Sequence, residues 1–223
     1  MAFSVFDVIG PSMIGPSSSH TAGAVRLGLV ARTFCDGVPE RARLELHGSF
    51  AATGAGHATD RGLVAGLLGM ATDDERLKES FTLAEASGLT CDFAAVDLGD
   101  DAHPNTARIT LYRDGVPDVR IVGASVGGGS IRVTDVDGFT TNFTGENDLI
   151  AVWHSDKPGF LARATTVLSC VEANIATIHT ARKSRGTDAL TLIEVDGAPP
   201  PEMLAVMHRI PFVTKVVMLG RLF

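Results

Sequence analysis

Residues 149–219 are patterned as strand, helix, strand, strand, helix, strand, and that order specifies a split βαβ, ferredoxin-like unit. The first strand spans 149–154. Asp156-Lys157-Pro158-Gly159 then opens a helix over 160–173, with proline where a missing N–H does no harm. Leu161, Ala164, Leu168 and Val171 recur at helical spacing along it. Strands at 175–182 and 189–195 are joined by the polar turn 184–188. A second helix over 200–210 and a last strand over 213–219 complete the set.

Thr144-Gly-Glu-Asn-Asp148 marks a boundary, and the upstream half is patterned differently. The expected domains are 1–146 and 147–223. Upstream, a helix is expected over 22–34, a strand over 43–47, a Gly-rich turn over 48–56 and helices over 59–70 and 73–87. Extended segments follow at 91–96, 108–113, 119–125 and 131–136, with Asp114-Gly115 as a hairpin signal. The upstream domain is expected to be helices over a mixed sheet.

Within that half, Gly15-Pro-Ser-Ser-Ser-His-Thr21 stands just before the first helix. Ser and Thr are favoured at helix starts because their oxygens satisfy orphan backbone N–H groups. The remaining N–H groups and the helix dipole make the same spot a receptor for a carboxylate or phosphate. Three consecutive serines exceed what one cap can use, which points to anion binding.

Composition narrows the function classes. A net charge of −7 argues against nucleic acid or an anionic membrane as partner. Residues 1–6 carry no positive flank, and no apolar run is long enough to span a bilayer, so a cytoplasmic protein is expected. The three cysteines, Cys35, Cys91 and Cys170, are far apart, with neither a disulfide framework nor metal-ligand spacing. No metal is expected on this chain.

Several segments in order carry a resemblance. Asp156-Xaa-Pro-Gly159 followed by Asn174-Ile175 resembles the ACT domain, a small amino-acid-sensing module. Gly15–Thr21, His47-Gly-Ser-Phe50 running to Gly56-His-Ala-Thr-Asp60, His103-Pro-Asn-Thr106 and Ser125-Val-Gly-Gly-Gly129 resemble bacterial iron-sulfur L-serine dehydratases. There, a similar region with an ACT domain forms the beta subunit or the front part of a single-chain enzyme. The implied fold class is α+β: an upstream domain similar to the allosteric substrate-binding domain of phosphoglycerate dehydrogenases, then a βαββαβ ACT domain.

The resemblance also implies roles. Elimination from L-serine needs a carboxylate cradle, a base and a Lewis acid for the departing hydroxyl. Ser17, Ser18, Ser19 and Thr21 would form the cradle, with Thr53 and Asn105 also binding substrate. His57 is the candidate base or positioning group, with His20 and His103 as further catalytic candidates. Asp60 either orients an imidazole or caps the helix that follows. Gly159 and Asn174 would bind an amino-acid effector. The Lewis acid in the family is a [4Fe-4S] cluster, expected on a separate alpha subunit because three isolated cysteines cannot ligate one. Pyridoxal chemistry is unattractive, since Lys78 lies in a charged helix and the other three lysines are in the ACT-like half. The ACT-like half also predicts self-association. Two other readings stand beside this one: a stand-alone amino-acid-binding regulator and a purely structural subunit.

Overall fold

The computed structural model describes residues 12–54 and 56–223. The chain divides into two compact units, residues 1–137 with 142–144, and 138–141 with 145–223.

The first unit is built on a mixed sheet of strands β1 (Arg41–Leu46), β2 (Thr90–Ala95), β3 (Thr106–Tyr112), β4 (Val119–Gly127), β5 (Ser130–Val136) and β6 (Phe139–Phe143). Their order is β2-β1-β3-β4-β5-β6, and β6 has residues in both units. β1 runs parallel to β2 and antiparallel to β3, and the hairpin signalled by Asp114-Gly115 joins β3 to β4. Ala42, Leu44, Ile109, Leu111, Ile121 and Val133 alternate onto one face and are fully or almost fully buried. On the other face Glu45 takes two hydrogen bonds from Arg108, at 2.7 and 2.9 Å. That fork, with Arg43 beside it, holds the Glu45 carboxyl below the usual range.

The helices are α1 (Gly23–Phe34), α2 (Gly48–Thr53), α3 (Thr59–Leu67) and α4 (Ser80–Ala86). Helix α1 is preceded by one wide helical turn, Ser18–Ala22, so the helical run starts inside the serine segment. The expected turn over 48–56 holds a helix instead: Gly48 enters it at φ 55°, and its backbone lies against Pro104. The expected helix over 73–87 is a tight turn, Glu75–Glu79, capped by Asp74, followed by α4. Strand β6 was not anticipated.

Helices α1 and α3 cross with their backbones in contact. A Cβ added at Gly66 would stand 2.1 Å from the Val25 carbonyl oxygen, and one at Gly28 would stand 2.4 Å from that of Leu63. Gly62 lies under Thr21, where an added Cβ would stand 2.8 Å from the Thr21 carbonyl oxygen. Gly23 in turn meets the Ser125 side chain on β4.

The second unit has strands β7 (Asp148–Ser155), β8 (Ile175–Arg182), β9 (Asp188–Val195) and β10 (Val213–Leu219), with helices α5 (Phe160–Cys170) and α6 (Pro201–His208). The antiparallel order β10-β7-β9-β8 is the ferredoxin-like arrangement expected. Ile150, Val152 and Ile193 on the sheet pack with Phe160, Ala164, Leu168, Met203 and Met207 from the helices. His154 is buried in this layer and stacks on Phe160 at 3.6 Å. Its Nδ1 lies 2.9 Å from the Ser155 carbonyl, which can only accept, so the proton is on Nδ1. Nε2 then accepts from the Thr191 hydroxyl, also at 2.9 Å. Burial pushes the imidazole below its ordinary pKa.

The glycine crossing generates a stability prediction. Gly66→Ala should destabilise the chain by about 1–3 kcal/mol, the range for overpacking a filled contact. Gly56→Ala, whose added Cβ would sit 3.7 Å from its nearest neighbour, should leave the thermal midpoint unchanged. Equal midpoints for both variants would show that the crossing is not tight.

Candidate active site

The close approach of α1 to α3 brings two distant segments of sequence together. The turn that starts at Ser18 presents His20, and the loop before α3 presents His57; their rings meet edge to face, with centroids 4.9 Å apart. Thr21, fully buried, donates from its hydroxyl to the His57 carbonyl at 2.9 Å and so ties the two segments together by a hydrogen bond. Ala58, at φ 57°, makes the sharp entry into α3 that leaves His57 exposed. Gly15 is required beneath Thr21, because a Cβ there would stand 2.6 Å from its methyl group.

His20 is held on both ring nitrogens. Nδ1 lies 3.2 Å from the Ser19 hydroxyl and 3.4 Å from that of Ser17. Nε2 lies 3.1 Å from the Ser49 hydroxyl at the start of α2. The Phe50 ring packs beside it at 5.5 Å. Burial, and secondarily the neighbouring His57, lowers the His20 pKa. Ser17 caps the turn by accepting from the His20 N–H. The N–H groups of Ser18 and Ser19, one and two residues past that cap, remain at a helical start, where an anion is favourably received.

The fate of the other expected residues differs. The Thr53 hydroxyl is spent on the Ser49 carbonyl at 2.8 Å, and its own carbonyl takes the His57 N–H, so it shapes the loop from within. The Asn105 carbonyl accepts from the Ser125 N–H, and strand alternation puts Asn105 on the helix-covered face of the sheet, beside Ser125 and Gly23. The Ser18 side chain makes no hydrogen bond among the described residues. Asp60 neither touches an imidazole nor caps α3; its carboxylate accepts from the Arg61 N–H. His103 lines a cavity with Val122, Ala124 and Thr134, whose side chains lie on the sheet face turned away from the helices, while the next residue, Pro104, accepts from the Phe50 N–H. The strand period sets that face: Thr106, Ala124 and Val122 alternate away from the helices, and the 103–105 turn carries His103 over them.

In the second unit Gly159, at φ 87°, starts α5, and Asn174 follows its end, donating to Asp196 at 2.6 Å. Eleven residues of helix separate them, or about 16 Å at 1.5 Å per residue. One copy of the unit therefore does not bring both to a single small ligand. Asp156 is engaged by the β8–β9 turn, accepting from the Gly186 N–H and from Arg182, and these bonds lower its pKa.

Ser49 and Phe50 are site residues that the sequence reading passed over. Their signal was only their place inside His47-Gly-Ser-Phe50, next to a segment read as a turn.

Residues 4–136 match the family described as serine dehydratase beta chain. This chain belongs to that family. It is 43% identical over 213 residues to a probable L-serine dehydratase beta chain of Bacillus subtilis, covering 96% of each chain. It is 38% identical over 195 residues to an L-serine dehydratase beta chain of Peptoniphilus asaccharolyticus, covering 87% of each. A D-3-phosphoglycerate dehydrogenase of Methanocaldococcus jannaschii is 28% identical over 121 residues, 54% of this chain and 23% of that one, which fits the expected likeness to such enzymes.

As for a resident cluster, Cys35 is buried, Cys91 half-buried and Cys170 exposed, and burial pushes the Cys91 thiol up to about 11. Among the described residues no three His, Cys, Asp or Glu side chains converge as ligands would. The thiols present therefore do not suit an iron-sulfur cluster, which needs converging thiolates. No described helix is long and apolar enough to cross a membrane.

The coupling of the two imidazoles is measurable. By NMR titration, His20 should take up its proton below the ordinary 6.5. In His57→Gln its midpoint should rise, because a neighbouring positive charge is lost, yet stay below 6.5 because burial is the larger cause. A wild-type midpoint at or above 6.5 would refute the assignment.

Proposed function

We propose that this chain is the beta subunit of an iron-sulfur L-serine dehydratase, which converts L-serine to pyruvate and ammonia in the cytoplasm. A separate alpha subunit carries the [4Fe-4S] cluster, and this chain has little activity alone. The observation that carries the reading is the contact of His20 with His57 at the serine-lined helix start, in a member of the serine dehydratase beta-chain family. Residues 1–146 are assigned to the beta-chain domain and 147–223 to the ACT domain.

The chemistry assigned to this chain is binding and proton transfer. The substrate carboxylate lies against the Ser18 and Ser19 N–H groups and the Ser17 and Ser19 hydroxyls, with Asn105 on the same side of the sheet. His57, exposed at the mouth of the site, takes the Cα proton or positions the substrate for that transfer. His20, kept neutral by burial, presents its edge to His57 and takes no positive charge that would oppose a protonated His57. Loss of the Cα proton and the β-hydroxyl gives aminoacrylate and water, and hydrolysis of the tautomeric imine releases pyruvate and ammonia. The Lewis acid for the departing hydroxyl belongs to the alpha chain, and no role in that step is assigned to the residues here.

Anaerobic affinity purification of this chain from its own cells tests the reading. The expected product is a brown complex with a second chain that releases pyruvate from L-serine. His57→Ala should assemble normally and lose at least about 100-fold in turnover, the low end for removing a general acid–base group. A colourless lone chain stabilised by an amino acid without turnover would favour the regulator instead. Full activity of the assembled His57→Ala complex would favour a structural subunit.

The ACT-like unit is proposed to self-associate through β8. That strand is a sheet edge with almost every residue exposed or half-exposed, and Ile178 is 40% exposed. An effector touching both Gly159 and Asn174 would then take one from each copy. Sedimentation of the purified chain should give a dimer, and Ile178→Lys, which places a charge on the edge, should give a monomer. A monomeric wild-type chain would exclude the arrangement.

A further inference from the structure

The sheet of the first unit has a second concavity, on the face turned away from His20 and His57. It encloses about 510 Å³, within the usual range for small-molecule sites. Its floor is apolar, made by Leu98, Val122 and Ala124, with Val126 at the rim. Two side chains of opposite charge line it, Arg132 from β5 and Asp101 from the connection before β3. They form no ion pair with each other, and neither has a hydrogen-bonding partner among the described residues. An unpaired guanidinium and an unpaired carboxylate line one cavity, so a ligand bearing both charges finds a partner for each of them there.

His103 adds a third, oriented group. The Asn105 N–H donates to its Nδ1 at 3.1 Å, so the neutral ring carries its proton on Nε2. The turn is fixed at the same point by the Thr106 hydroxyl, which donates to the His103 carbonyl at 2.6 Å. The imidazole is thus held as a hydrogen-bond donor at the cavity wall. Thr134 is tied to the Val122 carbonyl and keeps the opposite wall polar.

We propose that this cavity is a second binding site, for a free α-amino acid. The ligand carboxylate pairs with Arg132 and receives the His103 Nε2–H, its ammonium group pairs with Asp101, and its side chain rests on Val122, Ala124 and Leu98. The requirement for both charges distinguishes the site from a simple anion receptor, and the apolar floor favours a short aliphatic side chain. The inference goes beyond the proposed catalysis and does not depend on it, because the two sites lie on opposite faces of one sheet.

The test is an NMR titration of the full chain carrying His57→Ala, with L-valine and L-serine as probes and acetate and ethylamine as single-charge controls. L-valine, and more weakly L-serine, should shift the His103 ring and Ala124 amide signals saturably. Neither control should reproduce that shift at the same concentrations. Arg132→Gln and Asp101→Asn should each weaken the shift at least 10-fold while leaving the other amide signals in place. Ala124→Leu, which fills the floor, should abolish it independently of charge. Shifts confined to His20 and its neighbours, or equal saturation by acetate alone, would overturn the proposal. Failure of serine turnover in the assembled enzyme would leave this titration unaffected, so the two readings fail separately.

Discussion

The backbone contact between α1 and α3 is the constraint on which the first unit depends. Gly28 and Gly66 face each other where any side chain would strike a carbonyl, so the two helices approach more closely than larger residues permit. Gly62 extends the contact to Thr21, one residue past His20, and the Thr21 hydroxyl closes on His57. A looser crossing would leave the apolar core intact and still separate the two imidazoles. The cost of omitting side chains along this line is lost burial and lost backbone stiffness. What it secures is geometric: groups 37 residues apart meet edge to face.

The polar groups of the site are satisfied by one another in a way that fixes His20 more firmly than His57. His20 has hydroxyl neighbours on both nitrogens and an aromatic ring beside it, while His57 is held by its backbone and remains exposed. A buried, oriented imidazole next to an accessible one divides positioning from proton transfer. The second unit contains a different solution, in which His154 is enclosed with one donor and one acceptor position both used. Similar chemistry is there committed to packing, between a strand and the first residue of α5.

The two faces of the first sheet carry different kinds of residue, and the order of residues along the chain does not say which face a turn residue such as His103 borders. His103 and Asn105 are two residues apart and belong to one motif, yet the turn sends them to opposite sides of the sheet. The helix hidden in residues 48–56 escaped for a related reason. It begins with glycine and lasts less than two turns, so its period never emerges, and only the contact of Gly48 with Pro104 shows what its start rests on. Strand β6 is short and half polar, with buried Phe139, Thr141 and Phe143 alternating with exposed Thr140 and Asn142. Once the burial is known the period of two is plain.

The amino-acid sequence by itself determined the βαββαβ unit, the mixed α+β character of the upstream half and the family, because these rest on local periodicity, turn chemistry and the order of motifs. Periodicity is a property of neighbouring residues and survives without knowledge of the rest of the chain. Which of the motif residues meet is a different kind of fact. The pairing of His20 with His57, the entry of Ser49, the place of His103 beside the far-face cavity and the distance between Gly159 and Asn174 were decided only by tertiary structure. Each depends on how closely two helices pack, or on which side of a strand a turn leaves a side chain, and neither is written in the spacing of residues.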